Sequence, residues 1–563
     1  MEILKQKPFD LTEEQIKWVT ETMNQMSIED RIRQLFCPIV FTKDEKELRE
    51  LVENKKPGGI LFREGQAADI RRAHEVLQSF SDIPLLTASN LERGGIGSAV
   101  EGTYYGSPML VAATNNNVHG YQLGKVACSE GKAVGANWAF APIVDIDMNF
   151  RNPITNVRTF GSDPKRIIEF ARGYNQAAKE EGVATAIKHF PGDGVDERDQ
   201  HLLTSVNTLS KKAWDDSYGK IYQELIDDGA LTVMVGHIAL PAYEAKEKKN
   251  TPATLSKTLL QGLLREQLGF NGLIVTDATP MVGFTSAMAR HQAVPWSIEA
   301  GCDMFLFNKN YDEDYEYMLQ GYQKGILSEA RLEEAVLRIL GTKAALNLHI
   351  KQQEKTLVPS EDALSTLNNS QNAKWAKECA DEGVTLVKDS QQLLPISPKA
   401  TPKVLLQILG DFTSNTQVEG FFKGALEGEG FQVTCYEKED FSSLVSEVEG
   451  FKATYDLVIY IGNVETASNK TVSRLNWYTF FGQGNNIPWF VHEVPTMFIS
   501  VGNPYHLFDA PMIETYINGY CHSEYVMQAI IEKIMGRSTF KGVNPFNHEI
   551  INDIIKEKHY AND

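Results

Sequence analysis

The chain contains a series of short, continuous apolar runs that are rich in β-branched and aromatic residues, with helix-like patterns between them. Runs without polar alternation are typical of strands that are buried on both faces. Eight such runs, alternating with helices over roughly 320 residues, predict an α/β fold with a (β/α)8 TIM-type barrel. The runs lie at 35–41, 58–62, 84–89, 137–146, 183–190, 231–237, 272–277 and 303–307.

The stretches around these runs predict how the chain divides. Residues 27–35 begin with Ser27 and acidic residues, which is typical of a capped helix start, and residues 321–348 predict a helix that closes the barrel. A polar stretch at 351–370 is typical of a linker. Five further apolar runs predict a second α/β domain, at 384–389, 403–410, 456–463, 496–503 and 514–520. We therefore predict a barrel at 1–350, a linker at 351–372 and the second domain at 373–563.

Composition narrows the possible partners and the compartment. With 563 residues, the chain is too long for one core. Its net charge of −19 repels nucleic acid and anionic membranes. The N-terminus has no apolar segment of the kind that signal peptides contain, so we expect a cytoplasmic protein. The six cysteines lack CxxC spacing and several lie in apolar runs, which predicts buried free thiols and neither disulfides nor a zinc site.

Polar residues follow the apolar runs at the point where each predicted strand ends. In a barrel, these ends converge on one shared cavity, and enzymes place their chemistry there. A single polar residue after a strand is usually a turn former, whereas a whole set of them favours an active site. The set is Asn90, Asp145, Asp147, Lys188, His189, His237, Asp277 and Asn308.

Two carboxylates suit catalysis, one in this set and one in the loop that follows Lys188 and His189. Asp277 directly follows the run at 272–276, where a carboxylate nucleophile would be rigidly held; the alternative is a residue that caps a helix or turn. Asp199 and His201 lie two residues apart in the loop that follows Lys188 and His189. A carboxylate beside an imidazole fixes its tautomer and stabilises its protonated form, although this spacing alone is also compatible with a metal-ligand pair.

No pattern in the sequence predicts a cofactor. His189 and His201 could bind a metal ion, but neither an HExxH motif nor a similar spacing supplies a third ligand, so we predict no metal. The glycines at 94–97 lack the lysine and hydroxyl residues of a nucleotide-binding loop. A small molecule, bound without a cofactor, is therefore the expected partner.

The loop at 188–201, KHFPGDGVDERDQH, resembles the signature of glycoside hydrolase family 3 in its β-N-acetylglucosaminidase branch. The resemblance extends to SIEDRIRQLF, GGILF, FAPIVDIDMNFRNPITNVRTFGSDP and LLREQLGFNGLIVTDA, and so covers most of residues 27–345. Residues 375–535 resemble the C-terminal α/β sandwich domain of the family. The resemblance implies a barrel that is followed by an α/β sandwich.

The resemblance also implies a role for each matching residue. Asp277 would be the nucleophile of a retaining glycosidase, and His201, paired with Asp199, would be its general acid and base. Lys188, His189 and Arg158 would contact sugar hydroxyls, with His237 near the same subsite. The implied activity is exo-acting hydrolysis of terminal β-linked N-acetylglucosamine from glycan or peptidoglycan fragments.

One position departs from the family pattern. The family usually has an aspartate after the third strand that binds hydroxyls of the terminal sugar, and this chain has Asn90 there. An amide makes no charge-assisted hydrogen bond, so the substrate is less defined than the mechanism. Two alternatives therefore stay open: a family 3 glycosidase or phosphorylase for another, possibly modified β-sugar, and a glycan-binding relative without activity. The oligomeric state also stays open.

Overall fold

The chain folds into two compact units. A computed structural model describes residues 2–410, 413–437, 446–480, 483–484 and 486–556. The first, the barrel unit, comprises Met1–Tyr105, Asn117–Asp147 and Asp163–Ala373. The second unit comprises Gly106–Asn116, Met148–Ser162 and Lys374–Asp563.

Eight parallel strands form the barrel, and most are buried on both faces, as their continuous apolar sequences predict. The first is interrupted at Pro38, which has no N–H to donate. The strands are β1 (Phe36–Cys37 and Ile39–Val40), β2 (Gly59–Phe62), β3 (Leu86–Ser89), β4 (Trp138–Ala139), β5 (Ala184–Phe190), β6 (Thr232–Val235), β7 (Leu273–Thr276) and β8 (Phe305–Leu306).

Hydrogen bonds close these strands into a ring. Strands β1 to β7 pair in chain order within one sheet. The last strand joins both ends of that sheet: Phe305 pairs with Phe36 of β1, and Met304 forms a bridge with Val275 of β7. The predicted TIM-type barrel is confirmed, and the carboxyl ends of all eight strands lie at one rim.

Two sequence predictions within the barrel unit need correction. The apolar run at 137–146 forms strand only at Trp138–Ala139, since Pro142 has no N–H for the sheet. The single helix predicted at 321–348 is two helices, Tyr311–Gln323 and Glu329–Ala345. Gly325, at φ +73°, and the capping hydroxyl of Ser328 separate them.

The stretch predicted as a linker, 351–372, lies within the barrel unit. It contains a short 3₁₀ helix at Glu361–Thr366. The buried carboxylate of Glu130 accepts hydrogen bonds from the Asn368 backbone N–H, at 3.0 Å, and from Asn372 Nδ2, at 2.7 Å. A polar composition was thus compatible with ordered structure because a buried partner satisfies the polar groups.

Helices surround the strands of the barrel unit. Ser27 caps one of them, as predicted, by accepting a hydrogen bond from the Asp30 backbone N–H. The α-helices are Glu2–Lys5, Glu13–Gln25, Ile28–Gln34, Glu45–Glu50, Ala67–Ser79, Val118–Ala133, Pro164–Glu181, Lys211–Trp214, Lys220–Asp227, Val282–Thr285, Arg290–Ala300, Tyr311–Gln323, Glu329–Ala345 and Leu348–Gln353. Leu51–Lys55, Asp215–Gly219 and Thr258–Gln267 are π-helical.

A buried ionic cluster lies where the barrel closes between β7 and β8. The Asp303 carboxylate is fully buried and accepts hydrogen bonds from the Ile274 backbone N–H, from Arg265 and from Arg331. Burial alone would raise the pKa of this carboxyl, but the two guanidinium groups lower it below its ordinary value. Asp303 is therefore ionised and ties the last two strands to the helices outside them.

The second unit is built on a six-stranded sheet in the order β9-β14-β13-β12-β10-β11. Strand β9 is antiparallel to β14, and the other neighbours are parallel. The strands are β9 (Thr385–Asp389), β10 (Lys403–Leu409), β11 (Gln432–Cys435), β12 (Leu457–Gly462), β13 (Thr496–Ser500) and β14 (Thr515–Asn518), and a hairpin pairs Thr479–Phe480 with Gln483–Gly484. The predicted second α/β domain is confirmed.

The second unit also includes a piece of chain from within the barrel sequence. The segment Met148–Ser162 belongs to it: Phe150 packs against Tyr505 and Phe508, and the Ser162 N–H donates to Pro545 O. The helices of the unit are Pro108–Ala113, Ser370–Gly383, which begins at the end of the barrel unit, Asn415–Gly428, Val448–Thr454, Glu524–Ile534 and Glu549–Lys556.

All six cysteines are free thiols, five of them buried and Cys435 partly buried. This agrees with the thiols expected from their apolar surroundings. Within the described residues, none of the helices has both the length and the apolar content that a bilayer crossing requires.

The buried cluster at the closure of the barrel predicts a stability effect. Asp303→Asn removes the buried charge that neutralises Arg265 and Arg331, so that Arg265 loses its carboxylate partner and Arg331 keeps only Glu334. We expect the free energy of unfolding of the barrel unit to fall by about 3–5 kcal/mol, measured by urea denaturation. Lys212→Ala breaks an exposed ion pair with Asp216 and is the control, with an unchanged midpoint. Equal midpoints for the two variants would contradict the role of Asp303.

Candidate active site

Asp277 lies at the carboxyl end of β7, where its backbone N–H donates to Val235 O at 2.8 Å. One carboxylate oxygen accepts from the Ala278 backbone N–H at 2.7 Å, and the side chain is 14% exposed. Burial alone would raise the pKa of this carboxyl, but the electrostatic effect of the imidazoles around it, that of His189 above all, holds its pKa below the ordinary value. Asp277 is therefore an ionised carboxylate with a fixed orientation and limited access to solvent.

His189 stands between Asp277 and a second carboxylate, that of Asp145. Its Nδ1 is 2.7 Å from Asp145 Oδ2, and its Nε2 is 3.9 Å from Asp277 Oδ2. Because an ionised carboxylate can only accept, Nδ1 carries a proton and donates to Asp145. Asp145 is fully buried and also accepts from the backbone N–H groups of His189, at 3.1 Å, and Asp193, at 2.8 Å. Asp145 thus directs Nε2 of His189 toward Asp277.

Asp199 and His201 form a second carboxylate–imidazole pair. Asp199 Oδ1 accepts from the His201 backbone N–H at 2.9 Å and lies 2.7 Å from His201 Nδ1. The Asp199 side chain is buried, whereas that of His201 is 22% exposed. With Nδ1 bound to the carboxylate, Nε2 is the nitrogen that can exchange a proton with a ligand.

The loop of this pair is hydrogen-bonded to the chain that follows Asp277. The Val282 N–H donates to His201 O at 3.0 Å, and the Gly283 N–H donates to Gln200 O at 3.2 Å. These bonds explain how an irregular loop holds its imidazole near the end of β7.

Lys188 and Asn90 are two of the predicted sugar contacts, and they differ in their hydrogen bonding within the protein. Lys188 is buried at the end of β5, and its Nζ donates to Glu92 Oε1 at 2.7 Å. Asn90 follows β3 and is partly buried, and its side-chain amide makes no hydrogen bond to any described residue. The amide of Asn90 is therefore available to a ligand, while Lys188 already has one ionic partner.

His237 makes two hydrogen bonds within the protein. Its Nε2 donates to Ala278 O at 3.0 Å, and its Nδ1 accepts from the Thr254 hydroxyl at 3.0 Å. Burial lowers the pKa of the ring below the ordinary value, so the ring is neutral. Both ring nitrogens are occupied, so His237 braces the residue after Asp277, and its place near the sugar stays a prediction.

Arg158 is the one predicted site residue that belongs to the second unit. It ends the 3₁₀ turn Asn156–Arg158, and its Nη1 donates to Ile154 O at 3.1 Å. Asn156 Nδ2 donates to Asn503 Oδ1 at 3.3 Å, which attaches the turn to the second sheet. The other predicted site residues all lie in the barrel unit: Asn90, Lys188, His189, Asp199, His201, His237 and Asp277.

Sequence reasoning assigned no role to two residues of the site, Asp145 and Glu92. Asp145 was visible as a polar residue after a predicted strand, but its partner His189 lies 44 positions away. Glu92 lies 96 positions from Lys188. Within the described residues, no group of three or more His, Cys, Asp or Glu side chains is arranged to hold a metal ion.

The arrangement is that of an ionised carboxylate surrounded by imidazoles at the rim of a barrel, and sequence comparison gives its family. Residues 27–342 match the glycosyl hydrolase family 3 N-terminal domain. The chain belongs to glycosyl hydrolase family 3. The family predicted from the sequence is therefore confirmed.

Relatives of this family 3 member match it over nearly its whole length. A beta-N-acetylglucosaminidase/beta-glucosidase of Cellulomonas fimi is 42% identical over 96% of this chain and 97% of its own. The solved structure titled beta-glucoside phosphorylase BglX bound to 2FGlc is 46% identical, covers 97% of this chain and 99% of its own, and superposes with a TM-score of 0.93. A family 3 β-N-acetylglucosaminidase from Paenibacillus sp. shares the fold, with a TM-score of 0.78 at 20% identity over 93% and 99% of the two chains.

Membership of the family establishes the class of this protein. It is a glycosidase that acts on carbohydrate substrates. The roles of individual residues stay predictions, and the geometry around Asp277 supplies a test of one of them.

The surroundings of Asp277 predict a shift in the pH profile. Because the electrostatic effect of His189 lowers the pKa of Asp277, His189→Gln should raise that pKa. The nucleophile would then become protonated at higher pH, and the acidic limb of the kcat/KM profile should move to higher pH. Asp145→Asn, which removes the carboxylate that accepts from the His189 ring, should move the limb in the same direction.

The control for this shift is His291→Gln, which changes an exposed histidine in the helix Arg290–Ala300. Its profile should superimpose on that of the wild-type enzyme. Profiles of His189→Gln and Asp145→Asn that also superimpose on it would rule out electrostatic control of Asp277 by His189.

Proposed function

We propose that this enzyme is a retaining, exo-acting β-glycosidase that releases terminal β-linked N-acetylglucosamine from glycan or peptidoglycan fragments, and also glucose from β-glucosides. The observation that carries the proposal is the ionised Asp277 with the Asp199–His201 pair hydrogen-bonded to the chain that follows it. The choice of sugars is supported by the Cellulomonas fimi relative, whose name includes both activities.

In the first step, Asp277 attacks the anomeric carbon. A bond forms between its carboxylate oxygen and that carbon as the glycosidic C–O bond breaks. His201, protonated on Nε2, gives that proton to the leaving oxygen, which departs as a neutral alcohol. The low pKa of Asp277 supports this role because the nucleophile must be ionised.

In the second step, the glycosyl–Asp277 bond is broken by an incoming acceptor. Neutral His201 takes the proton of a water molecule on Nε2 while the water oxygen bonds to the anomeric carbon. The buried carboxylate of Asp199 stabilises the imidazolium that results. The two steps together retain the anomeric configuration.

The sugar is held by groups at the ends of β3 and β5. The Lys188 ammonium, oriented by Glu92, can donate to a hydroxyl. Asn90 can both donate and accept but contributes no charge, so it discriminates weakly between related sugars. This is consistent with activity on more than one β-sugar.

The proposed roles predict the activities of two variants. Asp277→Ala should lower kcat/KM for N-acetylglucosaminides by roughly 10⁴-fold because no covalent intermediate can form. His201→Ala should lower kcat/KM by about 10²- to 10⁴-fold for an alkyl glycoside, which needs protonation of its leaving oxygen, and by less for a nitrophenyl glycoside. Steady-state kinetics on alkyl and aryl glycosides of both sugars measure these effects.

The outcomes separate the mechanism from the substrate. An unchanged rate of His201→Ala on alkyl glycosides would refute the acid/base assignment. Cleavage of glucosides alone would refute the N-acetylglucosaminidase assignment and leave the mechanism standing. Sugar binding without turnover in the wild-type protein would indicate a glycan-binding protein.

A second candidate is phosphorolysis, in which phosphate replaces water as the acceptor. It is supported by the 46% identity to a structure titled beta-glucoside phosphorylase. It is also supported by the nature of the base, since a neutral imidazole repels an incoming phosphate less than a carboxylate base would. A phosphate oxygen would bond to the anomeric carbon as the bond to Asp277 breaks, which gives a glycosyl 1-phosphate.

Phosphorolysis predicts a different product in phosphate buffer. We expect glycosyl 1-phosphate to form in proportion to phosphate concentration, as detected by ³¹P NMR, and free sugar alone in a zwitterionic buffer of equal ionic strength. His201→Glu should reduce the ratio of glycosyl phosphate to free sugar because it places a negative charge at the acceptor side. Free sugar alone at every phosphate concentration would exclude phosphorolysis.

A further inference from the structure

A groove of about 630 Å³ lies beside the acid/base loop of the barrel unit. One wall is the continuation of that loop, with Leu203, Thr204 and Val206. Another wall is the segment 246–252, which follows β6, and the third is 286–288, which follows β7. The groove therefore has walls from three neighbouring strand ends at the catalytic rim of the barrel.

The groove has a local excess of positive charge. Lys246, Lys248 and Lys249 line it, and all three are exposed. In the described part of the chain, none of these lysines has a carboxylate within 4 Å. Glu247 is the acidic residue of the lining, and Arg198 is neutralised by Asp196 at 2.8 Å. A net positive groove is unusual on a chain of net charge −19.

Hydrogen bonds join the groove to the acid/base pair. Leu203 N donates to Asp199 O at 3.3 Å, and the Thr204 hydroxyl donates to Gly283 O at 2.9 Å. The next residue before Gly283, Val282, donates to His201 O. The wall of the groove and the imidazole thus belong to one hydrogen-bonded unit.

The position of the groove determines which part of a substrate it can reach. In a retaining glycosidase, the general acid lies on the side of the leaving group, because it protonates the glycosidic oxygen. Leu203, which lines the groove, lies two residues after His201 in the chain, and we take the leaving group to pass His201 on this side.

We infer that this groove receives a leaving group that bears a negative charge, a carboxylate or a phosphate ester, on the substrate of the proposed glycosidase reaction. The inference rests on the proposed function, since it assumes that His201 is the acid. The ammonium groups attract such a leaving group from solution, and Leu203, Leu255 and Met288 offer apolar contact beneath them. The enzyme would thus prefer anionic glycosides over neutral ones of the same shape.

The experiment compares two phenyl β-glycosides that differ only in a meta substituent, carboxylate in one and carboxamide in the other. At low ionic strength, we expect the wild-type enzyme to favour the carboxylate by about three- to tenfold in kcat/KM. The triple variant Lys246→Gln/Lys248→Gln/Lys249→Gln should bring the ratio to about one, because kcat/KM falls for the anionic glycoside. Adding 0.5 M salt to the wild-type enzyme should have the same effect, since salt screens exposed charges.

The matched control is Lys17→Gln/Lys46→Gln/Lys212→Gln, which removes three exposed charges elsewhere on the unit and should leave the ratio as in the wild-type enzyme. A ratio of one in the wild-type enzyme, or the same loss in both triple variants, would overturn the inference. The inference would also be overturned if the triple variant of the groove lowered only the use of inorganic phosphate as an acceptor. Failure of the proposed function would give a different result from failure of this inference, because neither glycoside would then be cleaved.

Discussion

The catalytic rim of this protein depends on the closure of its barrel, and the closure depends on a charge in the interior. The buried Asp303 binds the backbone of β7 through Ile274 and neutralises Arg265 and Arg331. Strands β5 and β7 both pair with β6, which places the end of β7, where Asp277 lies, near the end of β5, where His189 lies, and the closed ring directs these ends to one rim. A buried ion pair is costly in itself, so its place at the seam favours a role in selecting this one arrangement.

At the rim, a carboxylate–imidazole pair occurs twice. Asp145 orients His189, and Asp199 orients His201, each through Nδ1, so both rings keep Nε2 for other partners. The first pair is buried and acts on the charge of Asp277, whereas the second is partly exposed, as proton exchange with a ligand requires. The two pairs consist of the same residue types, so the difference in their burial is what distinguishes their functions.

Much of this arrangement could be predicted from the sequence, and there are physical reasons why the rest could not. Continuous apolar runs located the strands, and strand ends pointed to Asp277 and His189, because these patterns are local. The role of Asp145 could not be predicted, since its contact with His189 joins residues far apart in the chain. The resemblance to the family placed His237 near the sugar, but the contacts of both its ring nitrogens with Thr254 and Ala278 could not be predicted from the sequence. The linker was predicted from polarity, which does not reveal a buried partner such as Glu130.

The proposed acid and its carboxylate lie within three consecutive residues, 199–201. The residues that transfer the proton therefore lie in one short loop segment, while the nucleophile is built into the end of a barrel strand. Such a segment can be exchanged as a cassette between related enzymes without redesign of the scaffold. Libraries confined to 195–206 would then vary the tolerance for leaving groups and acceptors and keep the recognition of the terminal sugar constant.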